Sequence, residues 1–349
     1  MKKRITAMPG NRPARQCGIS LVEIMVSMTI AMFLMLGLAA VFGNSARTSA
    51  ELNHSLQQIE NGRFSVQTLT DQLSLAGFYG RLPGMLAPPA ALPDPCGFSD
   101  MSDLRAATAF PVQGYNAPAS SPLSCIPAAN HVANTDILVV RRADTNVTAT
   151  ASLVPEEVYI QTNADPGNSA NPIIADGDIA NFTLRNKDGT TVAPIRKYHV
   201  HIYFVSPCSI PAGGGSVCSG ASDDNGNPIP TLKRLELRVD PSDDTLKMTT
   251  ISLVEGIENL QIDYGVDTDG NGVPDGNHLV IPGTIADWSN VMSVRLNVLA
   301  RNLERSPGYT DAKTYDMGAA GTITPGGPFK RHVYNTTVRL VNPAARREQ

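Results

Sequence analysis

Gly18-Ile19-Ser20-Leu21-Val22-Glu23 opens an apolar run that continues to Phe42, and Glu23 is its single charged residue. About two dozen mostly apolar residues suffice to cross a bilayer as a helix. A carboxylate inside a span costs about 2.5–3.5 kcal/mol on insertion scales at the helix centre and less near an end, so Glu23 calls for a reason. The preceding segment, Met1 to Cys17, holds Lys2, Lys3, Arg4, Arg12 and Arg15 and no acid. A secretory signal has an apolar region of about 7–15 residues, which this run exceeds, so a cut near Ala39-Ala40 is not expected. An ordinary signal anchor would tolerate Glu23 by snorkelling. The basic leader sets the N-terminus on the cytoplasmic side, and everything beyond Phe42 then faces the other compartment, the periplasm in a Gram-negative source.

A basic leader, a glycine and an apolar helix with an acid at its fifth position together resemble the class III signal of type IV prepilins. The resemblance implies cleavage between Gly18 and Ile19 by a prepilin peptidase and methylation of Ile19. Physics supplies a role for Glu23 independently. In a bundle of such helices, the amino terminus of one subunit can pair with the buried Glu23 of its neighbour, and a buried charge without a partner is strongly destabilising. Glu23 thus reads as an assembly residue.

The 349-residue chain has 28 basic and 32 acidic residues, a formal charge of −4. Without the five leader bases, 23 basic residues face 32 acidic ones, or −9. That balance argues against nucleic acid as a partner. Cys17 leaves with the leader, and Cys96, Cys125, Cys208 and Cys218 remain. An even number in an exported domain indicates disulfides, with three connectivities open. Pairing of sequence neighbours, Cys96–Cys125 and Cys208–Cys218, is the simplest. Zinc is the rival, but no C-x-x-C pair supports it.

From Asn44 to Phe78 there is no proline. Leu52, Ile59, Val66 and Leu73 recur every seven residues, with Leu56 and Leu69 on the same stripe, as in an amphipathic helix continuing the span. Gly77, Gly80, Pro83 and Gly84 should stop it, giving a helix of roughly 90 Å from Ile19 at 1.5 Å per residue. Five segments follow: leader 1–18, transmembrane helix 19–42, amphipathic continuation 43–80, an irregular, disulfide-tied, proline-rich stretch 81–134, and a β-rich periplasmic domain 135–349. Strands are expected at 136–141, 153–161, 198–205, 232–239, 246–253, 291–300 and 332–341, with a turn at 240–244. The fold class is α+β, a long N-terminal helix packed on a mainly antiparallel sheet, as in type IV pilins.

A second stretch, Val254-Glu-Gly-Ile-Glu-Asn-Leu-Gln-Ile-Asp-Tyr-Gly-Val-Asp-Thr-Asp-Gly-Asn-Gly-Val-Pro-Asp275, narrows the resemblance. With Trp288 and Val291-Met-Ser-Val-Arg-Leu-Asn-Val-Leu-Ala-Arg301 it is similar to the PilW family of minor pilins, and Arg331 to Asn342 resembles that family's closing strand. The resemblance implies partners among other minor pilins, the major pilin and the inner-membrane assembly machinery, in a complex that primes the pilus and is a candidate for its tip. A large tip-type pseudopilin of type II secretion shares the signal and helix. A signal-anchored, calcium-dependent adhesin or binding module is the alternative from another class.

Within that stretch, Asp267, Asp269 and Asn271 place side-chain oxygens at every second residue, Gly272 holds the sixth place and Asp275 the ninth. This is the first part of an EF-hand calcium loop, with Val273 offering its carbonyl. Position twelve is His278 rather than a bidentate Glu, and neither flank reads as helix, so calcium is a candidate ligand of an isolated loop. A polar turn would use the same residues. His199 and His201 share a strand face and could form half a metal site, but nothing completes it, and surface histidines are expected. Gly214-Gly-Ser-Val-Cys218 misses the G-x-S-x-G pattern at its last position. The sequence has no P-loop and no H-E-x-x-H. No enzyme is expected and no cofactor is called for beyond candidate calcium.

Overall fold

A computed structural model describes residues 18–347 except Pro83, Met85, Ser99, Pro166, Ser169, Pro241 and Asp244. The basic leader with Cys17, the helix-stopping Pro83, and Pro241 and Asp244 of the expected turn lie outside the described residues. The chain forms two units, Met1–Asn53 and His54–Gln349, and one helix, α1 (Leu21–Ser74), contributes to both. In the first unit α1 is unburied and, from Leu21 to Phe42, apolar on every side apart from Glu23; Leu21 and Phe33 are 75% and 76% exposed. By length and composition this stretch can cross a membrane.

In the second unit α1 buries Gln58, Gly62, Ser65, Leu69 and Leu73. Steps of three and four keep these on one helix face. Val66, Leu69 and Leu73 of the expected stripe do pack into the core. Its first half needs correction, because Leu56 and Ile59 stay exposed, as does Leu52 in the first unit. Gln58 takes their place, its Nε2 donating to the carbonyls of Ala300 (2.9 Å) and Lys330 (3.1 Å). At Gly62 the missing side chain makes room for the Tyr334 ring. The helix ends at Ser74, and Gly77, at φ 72°, turns the chain while its N–H donates to the Arg141 carbonyl. Only glycine adopts such a φ without steric cost.

There follow α2 (Met101–Ala107), β1 (Val112–Tyr115), β2 (Ile137–Ala143), β3 (Tyr159–Gln161), β4 (Ile173–Ala175), β5 (Ile195–Ser206), β6 (Thr231–Val239), β7 (Leu246–Glu255) and β8 (Ile257–Val266). Then come α3 (Ile285–Ser289), β9 (Val291–Arg301), β10 (Tyr315–Asp316), β11 (Thr322–Ile323), β12 (Arg331–Arg339) and α4 (Val341–Arg347). Seven strands, β1 to β7, form one sheet around β5, which pairs with β2, β3 and β6; β7 pairs with β6 at the margin. A second sheet has the order β12-β9-β8, and β10-β11 is a small hairpin. Every strand pairing among the described residues is antiparallel. The fold is α+β, a long apolar N-terminal helix followed by antiparallel sheets.

One core joins Leu69 and Leu73 of α1 to Val140, Tyr203, Ile262, Trp288 and Leu296, so it lies among the helix and both sheets. A second core contains Ile137, Val139, Tyr198, Ile202 and Leu235 with Leu104, Leu123 and Ile126. This second core explains the proline-rich stretch, whose described residues are mostly without regular structure yet pack as a feature of their own. It covers a sheet face that would otherwise be bare, and it supplies α2 and the edge strand β1. The expected strand 153–161 shrinks to β3. Pro155 has no N–H to give, and Glu157 N donates back to Val154 O in a turn instead.

Candidate functional site

The N-terminal segment builds its own helix start. Ser20 N donates to Glu23 Oε2 (2.9 Å), and Glu23 N donates to Ser20 Oγ (3.3 Å). This reciprocal pair is a capping box, which satisfies two of the amides that a helix start leaves bare. Along the apolar run, Ser27 Oγ donates to Ile24 O, and Thr29 Oγ1 to Met25 O and Val26 O. Hydroxyls folded back onto carbonyls leave no free O–H toward lipid, where an unsatisfied polar group costs several kcal/mol. The signature S-x-x-E at 20–23 is the capping-box pattern, so Glu23 caps the helix besides being the candidate assembly residue.

The acidic loop lies between β8 and α3. Asp267 is fully buried. Its Oδ1 accepts from the amides of Gly270 (2.7 Å) and Asn271 (3.2 Å), and its Oδ2 from Gly272 N (2.9 Å). Arg347 Nη1 of α4 stands 3.7 Å from the same Oδ2. Asp269 accepts from Asn271 N and Nδ2, Asn271 Oδ1 accepts from Val273 N, and Asp275 Oδ2 accepts from Thr268 N and Oγ1. The two Thr268 bonds hold the Asp275 carboxyl below its ordinary range. Asp267, Asp269 and Asp275 bring one carboxylate oxygen each within 4.8 Å of one another. His278, at the twelfth position, turns away to Ser293 Oγ (2.8 Å). The loop's carboxylates thus converge and at the same time hold the loop's own amides.

Cys96 is joined to Cys125, and Cys208 to Cys218. The first bond ties the proline-rich stretch beside the second core, where both cysteines pack. The second closes a loop further pinned by Asp223, whose Oδ2 accepts from Ser219 N and Gly220 N. The expectation of surface histidines at 199 and 201 is corrected. Both are largely buried, with ring centroids 5.1 Å apart, and His201 Nδ1 lies 3.1 Å from Gln72 Oε1 of α1. Burial pushes His199 down to about 3 and His201 well below its ordinary value, so both are neutral near pH 7. Around them Lys197 and Arg238 share Glu157, while Arg234 and Arg238 share Glu236. A strand-face argument could not foresee that α1 covers this face.

Two family models match the chain. Residues 13–39 match the prokaryotic N-terminal methylation motif, and residues 220–342 match type IV pilus-assembly protein W. The second match begins just after the disulfide-closed loop, runs through β6 to β12 and includes the acidic loop. No curated protein and no solved structure matches the chain. Pilin-family domains are structural, and a prepilin-like signal ahead of a long apolar helix suggests an anchor in the inner membrane. With the methylation motif at its start and the pilus-assembly match in its C-terminal part, the two similarities together support a PilW-family type IV minor pilin.

Proposed function

We propose that prepilin peptidase cuts this chain between Gly18 and Ile19 and that Ile19 is then methylated. The protein rests in the inner membrane through residues 19–42, with its β-rich part in the periplasm. It joins other minor pilins in the complex that primes pilus assembly and stands at the tip, and from there it meets the major pilin. The observation that carries this reading is the exposed apolar helix with one carboxylate, Glu23, which among the described residues is hydrogen-bonded to Ser20. A subunit that packs its helix against neighbours buries both the apolar surface and that charge. The protein-W match over residues 220–342 favours the pilus over a type II secretion tip. The role is structural rather than enzymatic.

Glu23→Ala tests it. The substitution removes an insertion cost, so membrane insertion should persist. Partner co-purification and piliation should fall, because a neighbour's buried ammonium left alone costs about 3–5 kcal/mol. Normal pili and normal co-purification in the variant would refute the role.

A second reading concerns the acidic loop. The convergence of three carboxylate oxygens within 4.8 Å supports calcium held by Asp267, Asp269, Asn271 and Asp275, with the Val273 carbonyl. Arg347 already places a positive charge beside Asp267, and the loop amides use the same oxygens, so the ion competes with protein groups.

A further inference from the structure

The marginal strand β7 is long and bare. It has ten residues, whereas the other edges of its sheet, β1 and β4, have four and three. Its stretch from Met248 to Val254 contains no charge, proline or glycine. Natural edges are usually blunted by charge, proline, shortness or a bulge, because an open row of amides and carbonyls invites another strand. In the other sheet, the long edge β12 carries Arg331, His332 and Arg339, and the long edge β8 is occupied by Asp136 N on Leu260 O and by the Tyr264–Leu279 pair.

The open groups can be assigned. Asp240 N donates to Thr245 O (2.7 Å) where β6 turns into β7. Antiparallel pairs alternate between bonded and non-bonded, so Lys247, Thr249 and Ile251 bond to Arg238, Glu236 and Arg234 of β6. Leu246, Met248, Thr250 and Ser252 then turn both N–H and C=O outward. Among the described residues, no backbone hydrogen bond reaches that outer side. Where the strand ends, a groove of about 310 Å³ separates it from α1, lined by Gln57, Asn61, Phe64, Ser209, Ser252 and Leu253. Phe64 is 60% exposed there. An open edge gives affinity through the main chain, and an adjoining pocket gives side-chain choice.

We infer that β7 receives an extended, uncharged strand from a different subunit, whose side chains lodge beside Phe64. This rests on the assembly role proposed above. The occupant must be extended, because only a strand matches four residues of alternating outward donors and acceptors. A charged strand would find no counter-charge between Met248 and Val254. Pairing of β7 with β7 of a second copy is the rival occupant, and a dependence on the chain's own concentration would mark it.

Hydrogen–deuterium exchange across residues 246–254 tests the inference, using the full chain in detergent, alone and in complex with co-expressed minor pilins. Alone, about half of these amides should exchange at the rate of free peptide; in the complex they should slow by about tenfold or more. Thr250→Pro deletes an outward N–H without touching the bonds to β6, and should abolish the slowing. Thr250→Lys, which keeps the backbone and adds a charge, should weaken it if the proline variant melts early. The inference is overturned if the strand stays fast in a complex that forms, in which case assembly through α1 still stands. It is also overturned by slow exchange in the chain alone, or by slowing that grows with the chain's own concentration. Failure to form any complex removes the assembly role and the inference together.

Discussion

Gly62→Ala should destabilise this protein, although the same change in an exposed helix interior stabilises by about 0.8–1.0 kcal/mol. The sign is decided by Tyr334. A Cβ on residue 62 would come 2.6 Å from Tyr334 Cζ, with two other ring atoms nearer still. Carbon atoms settle about 3.5–4.0 Å apart, so for the nearest ring atom the ring or the helix must give by about 1.5 Å. Overpacking on that scale costs about 1–3 kcal/mol. Set against the propensity gain, the net loss is between about zero and 2 kcal/mol. Removing the ring should reverse the sign. In a Tyr334→Ala background, Gly62→Ala meets open space and should regain the propensity term of about 1 kcal/mol. Thermal unfolding of the four proteins in detergent gives the coupling, expected at about 1–3 kcal/mol. An equal stabilisation by Gly62→Ala in both backgrounds would show that Tyr334 does not seat on the helix and that α1 is held otherwise.

Two further outcomes follow from the buried and converging carboxylates. Asp136 accepts from Ala117 N and Ile262 N (both 2.7 Å), and burial pushes its carboxyl up to about 7. The native state therefore keeps a proton that the unfolded chain, with a pKa of about 3.9, has released. This contribution is fully present below about pH 4 and is lost as pH rises to 7, by up to about 1.4 kcal/mol per pH unit. His199 and His201, depressed by burial, act oppositely as pH falls below about 6.5. The measurement is thus the difference between parent and Asp136→Asn in urea unfolding from pH 4 to 7; parallel curves would refute the assignment. At the acidic loop, calcium binding to the folded state should raise the melting temperature in millimolar calcium over that in chelator, and Asp269→Ala should remove the rise. Identical melting would leave the loop as a turn held by its own amides and Arg347.

Much of this architecture could be read in the sequence, for physical reasons that differ by element. The span is legible because lipid enforces composition over about two dozen consecutive residues. β5, β6 and β9 are legible because their apolar residues recur with strand period. The strand β8 carries Leu260, Ile262, Tyr264 and Val266 at alternate positions, a strand period as legible as theirs. Hydrophobic period could not place the seat of α1, since Gln58 and Gly62 hold it through a carbonyl pair and a ring. Nor could it show that the proline-rich stretch closes a second core, because Leu104, Leu123 and Ile126 are too scattered to show a pattern. Of the site residues, the cysteine pairing followed from proximity in sequence. The acidic loop's spacing is shared by ion sites and Asx turns, so residue order alone leaves it undecided.

Whether Ile19 begins an assembly helix is decided by the intact mass of the membrane-extracted protein, followed by N-terminal fragmentation. The predicted result is a chain that starts at Ile19 and carries one methyl group on its amino terminus, with Gly18→Ala retaining the leader. A mature protein that still begins at Met1, or one cut near Ala40, would contradict it.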